Sequence, residues 1–105
     1  MKIYGKPVDK ETRCVHYSSP QDVIAVKFAC CGRYYPCHAC HEETADHPAI
    51  PWPKHRFHEK AVLCGVCQTE LSVAEYLSCG YECPACGTDF NPGCARHYHL
   101  YFKID

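Results

Sequence analysis

Cys64-Gly65-Val66-Cys67, followed after fifteen intervening residues by Cys83-Pro84-Ala85-Cys86-Gly87, is the stretch on which the fold turns. Two Cys-x-x-Cys turns at this spacing put four thiolates within reach of one tetrahedral ion. Pro84 and Gly87 suit a tight turn whose backbone amides donate to thiolate sulfur. A redox-active Cys-x-x-Cys is the competing reading, but that motif normally stands alone near a βαβ unit rather than as a matched pair.

Toward the N-terminus lie eight more ligand-type residues: Cys14-x-His16, Cys30 and Cys31, Cys37-x-x-Cys40-His41, and His47. With the first four they make nine cysteines and three histidines, or three sets of four. Four is the coordination number of structural zinc, so about three Zn2+ per chain are expected. Cys14 and His16 alternate along an extended segment, which lets both face one ion. Cys37 and Cys40 form a knuckle that completes that set, leaving Cys30, Cys31, His41 and His47 for the other. Adjacent cysteines on one ion are geometrically awkward, so a split of Cys30 and Cys31 between the two sites also stays open.

Composition explains why such a chain needs cross-links. The large apolar residues are four Ile, four Leu, seven Val, four Phe and one Met in 105 positions. At ~25 cal/mol per Å² so little burial leaves a small domain marginal without disulfides or metal. Eleven cysteines is an odd number, which a pure disulfide framework would not use up. The opening Met1-Lys2-Ile3-Tyr4-Gly5-Lys6-Pro7 has no apolar stretch of the secretory kind. Nor does any run approach the ~18 apolar residues of a membrane helix. His16, His41 and His47 beside cysteines decide for metal, since disulfides have no use for them.

The formal net charge is −1. Nine thiolates against three divalent ions lower it by three, to about −4. That argues against a nucleic-acid partner, which wants a basic face. Lys54-His55-Arg56-Phe57-His58-Glu59-Lys60, the one basic cluster, reads as a solvated loop or strand edge. Neither a nucleic acid nor a membrane is an expected partner; another protein is.

The pattern predicts a small zinc-stabilised α+β domain of short β-hairpins and knuckles, one or two short helices and irregular loops. Residues 1–105 form a single domain, with an N-terminal two-zinc lobe at about 10–50 and a zinc-ribbon-like lobe at about 60–105. Residues 1–13 read as an extended arm with turns at Gly5 and Pro7. Val23-Ile24-Ala25-Val26-Lys27-Phe28 is β-branched and apolar, hence a strand delivering Cys30 and Cys31. Gly32 permits a tight turn after them, and Tyr34-Tyr35 begins a second strand. A short helix is expected after Cys40, through Glu42-Glu43-Thr44-Ala45, with His41 and His47 at or past its ends. Pro48-Ala49-Ile50-Pro51-Trp52-Pro53 cannot be helical and reads as the link between lobes. Lys60-Ala61-Val62-Leu63 is a strand, Ser72-Val73-Ala74-Glu75 a capping box opening a helix, and Leu100-Tyr101-Phe102-Lys103-Ile104 a closing strand.

Cys14-Val15-His16-Tyr17, Cys30-Cys31, Cys37-x-x-Cys40-His41, His47 and the two later Cys-x-x-Cys pairs together resemble the CHY-type zinc finger. In animals and plants that module sits in larger ubiquitin ligases, upstream of a separate RING. Nothing after residue 86 resembles a RING, so ligase catalysis is not carried over. Ile3-Tyr4-Gly5-Lys6, Asp22-Val23-Ile24-Ala25, Ala74-Glu75-Tyr76, Asn91-Pro92-Gly93-Cys94 and His97-Tyr98-His99-Leu100-Tyr101-Phe102 resemble its stand-alone fungal branch, a helper of small Tim assembly. That likeness covers nearly the whole chain. It implies three zinc sites and a role in thiol or zinc handling during oxidative folding in the mitochondrial intermembrane space. Similar short proteins occur in bacteria, for which a cytoplasmic location is expected.

Other metal-capable residues fall outside the twelve. Cys79 reads as a free or buried thiol. Cys94, His97 and His99 read as packing groups near the C-terminus, with a further metal site as the alternative. His38 reads as an exposed knuckle residue, and His55 and His58 as surface. Trp52 and Tyr81 read as core-filling aromatics, with a contact role as the alternative. With twelve ligands spent on closed tetrahedra, no open zinc position remains for catalysis, and no enzyme is expected. The first functional reading is a structural zinc module acting through protein contacts. The alternative is a zinc or thiol chaperone for cysteine-rich clients, with a thiol oxidoreductase more distant.

Overall fold

The computed structural model describes residues 3–5, 9, 11–16, 19–91 and 98–103. Four short strands make one antiparallel sheet in the order β2-β1-β3-β4. They are β1 (Ile24–Lys27), β2 (Tyr34–Tyr35), β3 (Lys60–Cys64) and β4 (Glu70–Ser72). Helices α1 (His38–Thr44) and α2 (Val73–Ser78) flank it, and a last helical turn, α3, covers Tyr98–Tyr101.

The two central strands are buried on both faces, and their alternation separates the layers. Ile24, Val26, Val62 and Cys64 join the main core with Phe28, Tyr35, Trp52, Leu71, Tyr76, Phe90 and Phe102. Ala25, Leu63 and Tyr34 point the other way into a smaller cluster closed by Ile3. The register Ile24↔Cys64, Ala25↔Leu63, Val26↔Val62 keeps like faces together. The same pairing joins a strand before residue 50 to one after it, so the sheet runs through both predicted lobes.

The expected link at 48–53 is stitched into this core. Trp52 is 3 % exposed, and its indole Nε1–H donates to the Lys27 carbonyl at 2.6 Å. The Arg56 guanidinium lies over its ring at 4.7 Å. Trp52 thus fills the core, whereas Tyr81 is 40 % exposed. The basic cluster opens as a 3-10 turn at Lys54–Arg56, with Arg56 ion-paired to Glu59.

Two local expectations change. The first helix begins at His38, before Cys40, because Cys37 is its N-cap and Cys37 Sγ accepts the Cys40 N–H at 3.4 Å. The knuckle is itself the first helical turn. At the C-terminus the expected strand is a helical turn through Tyr101, followed by one bridge from Phe102 to Trp52. The Trp52 N–H donates to the Tyr101 carbonyl and the Lys103 N–H to the Trp52 carbonyl, both at 2.8 Å. Pro51 and Pro53 flank Trp52 and have no N–H, so a longer ladder has no donors there. Strand β4, only three residues long with Leu71 its one apolar residue, had no apolar run to announce it. The capping box stands as expected: Ser72 Oγ accepts the Glu75 N–H at 3.1 Å, and Glu75 Oε1 accepts the Ser72 N–H at 2.8 Å.

Candidate metal centres

The twelve expected ligands come together in three groups of four: Cys14, His16, Cys37, Cys40; Cys30, Cys31, His41, His47; and Cys64, Cys67, Cys83, Cys86. Within each group the ligand atoms lie within 4.8 Å of one another. No disulfide joins the described cysteines.

In the first group the segment that carries Cys14 and His16 meets the start of α1. Cys14 Sγ lies 3.6 Å from Cys37 Sγ, and His16 Nδ1 lies 3.5 Å from Cys37 Sγ and 3.4 Å from Cys40 Sγ. The other ring nitrogen, Nε2, meets the Glu43 carboxylate one helical turn on. That carboxylate fixes the tautomer that presents Nδ1 inward, the usual support for a ligating histidine. It also raises the imidazole pKa, with Cys14 adding to the effect. Gly5 completes the wall: at φ +92°, a Cβ there would lie 2.6 Å from the Cys40 Cβ.

The second group hangs on the turn after β1. The N–H groups of Cys31 and Gly32 both donate to the Phe28 carbonyl, at 3.4 and 2.7 Å, and Gly32 takes φ +67°. That tight reversal is what lets adjacent cysteines share one group, so they are not split between sites. Cys30 Sγ and His47 Nε2 each lie 3.3 Å from His41 Nε2. The buried His41 ring stacks on Phe28 at 4.2 Å and meets Tyr35 edge-on at 4.9 Å. His47 Nδ1 is held by Asp46 at 3.0 Å. Burial, then the neighbouring His47, lowers the His41 pKa and keeps the ring in its neutral, ligating form.

The third group is two knuckles with the same hydrogen-bond pattern. The Cys64 N–H donates to the Thr69 carbonyl at 3.0 Å, and the Gln68 N–H returns to the Cys64 carbonyl at 2.8 Å. Likewise the Cys83 N–H donates to Thr88 at 2.9 Å, and the Gly87 N–H returns to Cys83 at 2.8 Å. The residue at the return position is left-handed in both, Gln68 at φ 63° and Gly87 at φ 78°. Cys64 and Cys86 sulfurs lie 3.8 Å apart, Cys67 and Cys83 sulfurs 3.7 Å apart. The Ala85 N–H donates to Cys83 Sγ at 3.4 Å, the amide-to-sulfur bond that the Pro-Ala-Cys-Gly turn predicted.

These distances test whether the groups fit zinc. Zn–S bonds of ~2.3 Å and Zn–N bonds of ~2.0 Å give tetrahedral edges of ~3.8 Å between sulfurs and ~3.3 to 3.5 Å when nitrogen takes part. The observed 3.6 to 3.8 Å between sulfurs and 3.3 to 3.5 Å to or between nitrogens are those edges. The donor sets fit three structural zinc ions per chain, which would supply the charge that the thiolates need. Without a cation, burial pushes the Cys64 thiol up to about 12, and raises Cys30 and Cys37 as well. The Cys67 thiol, held by the Thr69 hydroxyl, falls instead, to about 6. A bound divalent ion inverts that preference and expels the protons.

Cys79 is a half-buried thiol whose Sγ–H donates to the Tyr76 carbonyl at 3.1 Å. His38 is half-buried rather than exposed, and its backbone N–H donates to the Tyr101 hydroxyl at 2.8 Å. His55 and His58 are exposed. Cys94, His97 and the His99 side chain lie outside the described residues, as does Pro7. Sequence reasoning did not identify Glu43 and Asp46, the carboxylates that support His16 and His47; Asp46, adjacent to His47, was the easier to find.

A small mixed α+β fold held by three cysteine and histidine tetrads, one of them a paired-knuckle ribbon, defines a treble-zinc finger protein. The chain belongs to the CHY zinc finger family, whose pattern matches residues 14–92. Helper of Tim protein 13 of Saccharomyces cerevisiae is 46% identical to it over 104 residues, covering 96% of this chain and 90% of its own. The protein of that name from Kluyveromyces lactis is 47% identical over 104 residues, covering 99% and 90%. An uncharacterised Schizosaccharomyces pombe protein is 46% identical over 101 residues, covering 96% and 88%.

Proposed function

We propose that this chain is a zinc-built interaction module that assists the assembly of small thiol-bearing proteins, in the manner that the name of its fungal relatives describes. The observation that carries the reading is the closure of all three tetrads. Each is complete with four protein ligands, and a closed tetrad builds surface rather than chemistry. On this reading the twelve residues are the zinc ligands, the chain is one domain, and it is not an enzyme. The near full-length similarity to Helper of Tim proteins supports small Tim proteins as the partner class and the mitochondrial intermembrane space as the compartment. Among the described residues, no helix is long and apolar enough to cross a membrane. Val15, Ile50, Val66 and Tyr81 are exposed large apolar side chains and give a partner something to cover.

Titration of the zinc-loaded chain into a reduced small Tim protein tests this reading by calorimetry. Saturable binding that disappears after treatment with a chelator is expected. Absence of binding by the loaded chain would refute it. A second reading, a zinc or thiol chaperone that exchanges metal with clients, is favoured by one observation: the third tetrad is exposed at Cys86.

A further inference from the structure

The three tetrads are not equally enclosed. Cys14, Cys37 and Cys40 are all buried, and His16 is backed by Glu43. In the second tetrad His41 is buried between Phe28 and Tyr35, and the other three ligands are half-buried. Of the twelve ligands only Cys86 is exposed. It lies in a run from Gly80 to Gly87 that is exposed throughout except at Cys83. Two exposed apolar side chains adjoin this tetrad in the chain: Val66, next to Cys67, and Tyr81, two residues before Cys83.

We propose that the four-cysteine tetrad is the exchange site of this protein, and that a reduced client thiol enters it by replacing Cys86. The proposal rests on the zinc-chaperone reading and adds to it the site and the leaving ligand. Ligand exchange at a d¹⁰ ion needs no electrons, only an incoming thiolate and access for it. Cys86 gives up its bond to the ion as the client sulfur forms its own. The client's thiol proton passes to the Cys86 thiolate, so charge and protons balance. Cys64 and Cys83, buried in the core, hold their positions during that first replacement. The other two tetrads keep the fold intact because their ligands tie the arm, the β1–β2 turn and α1 together, elements the exchange does not touch. Val66 and Tyr81 offer apolar contact to the residues flanking the client cysteine.

The test uses the full zinc-loaded chain and a chromophoric zinc chelator, with and without a reduced Cys-x-x-Cys peptide. Native mass spectrometry counts the remaining zinc, and brief alkylation maps the cysteines freed with the first ion lost. One ion should leave first, at a rate that rises with peptide concentration. The chain with two ions left should be alkylated at Cys86 at least about tenfold faster than at the ligand cysteines of the first two tetrads. A Cys86→Ser chain should purify with two ions and lack the fast phase. If the first ion frees Cys30 or Cys31 instead, or if Cys86→Ser keeps the fast phase, the assignment fails while the chaperone reading stands. A first ion that leaves at a rate indifferent to the peptide overturns the thiol-for-Cys86 step. If no ion leaves under native conditions, the chaperone reading itself fails, and this proposal with it.

Discussion

At the scale of single residues, the two knuckles provide an internal comparison. Gly87 and Gln68 occupy the same return position, both left-handed, yet only one is a glycine. A left-handed conformation costs a residue with a Cβ about 1 to 2 kcal/mol. Gln68 recovers part of this through its side-chain Nε2–H bond to the Gly65 carbonyl at 2.8 Å. Gln68→Gly should therefore be neutral or stabilising by up to about 1 kcal/mol, and Gly87→Ala destabilising by about 1 kcal/mol. Thermal melts of the zinc-loaded variants check the opposite signs. Gly65 is constrained differently. A Cβ there would sit 2.2 Å from the Glu11 carbonyl oxygen, and backbone cannot give way as a side-chain tip can. Gly65→Ala should cost about 2 kcal/mol or more, and an equally stable variant in the same melts would contradict the close approach of arm and ribbon.

Among the elements, the helices are too short to stand alone. A seven-residue helix such as α1 lies well below the ~12 residues at which isolated helices become even marginal. Its neighbours Cys40 and His41 serve different tetrads, so α1 is bracketed by two ions. Helix α2 has no ligand and relies on its capping box. Ser72→Ala should cost about 1 kcal/mol in denaturant titrations of the loaded chain. Glu75 shows the pH range of that cap. The Ser72 backbone N–H, then the Lys60 ammonium, hold its carboxyl down at about 2. A depressed carboxylate stabilises above its unfolded value of about 4.5, and that contribution is lost as pH falls toward about 2. Amide exchange in α2 should accordingly be faster in Glu75→Ala than in the parent by a factor that stays constant between about pH 5 and 8. A factor that shrinks across that range would contradict the depressed pKa.

For the whole molecule, zinc and fold are one equilibrium. The tetrads join the arm to α1, the β1–β2 turn to α1 and its C-terminal exit, and β3 to the distal knuckle. Few elements are fixed by the sheet alone, and its strands are two to five residues long. Elemental analysis should find about three zinc per chain, and exhaustive chelation should abolish the native circular dichroism. An apo chain with native dichroism would show that the apolar core suffices.

Much of this was legible in the chain itself because it is local. A Cys-x-x-Cys knuckle, a Ser-x-x-Glu cap and a β-branched run each act within a few residues. Spacing therefore pointed to the twelve candidate ligands and their ribbon group, the capping box and strands β1 and β3. Tertiary structure decided what depends on approach between distant segments. The Phe28–Gly32 turn let Cys30 and Cys31 enter one tetrad, and the pairing of β1 with β3 ran a single sheet through both lobes. Among the described residues, the prolines around Trp52 leave the C-terminal segment a single bridge. Burial, too, is set only when the elements pack, and it left Cys86 as the one exposed ligand of the twelve.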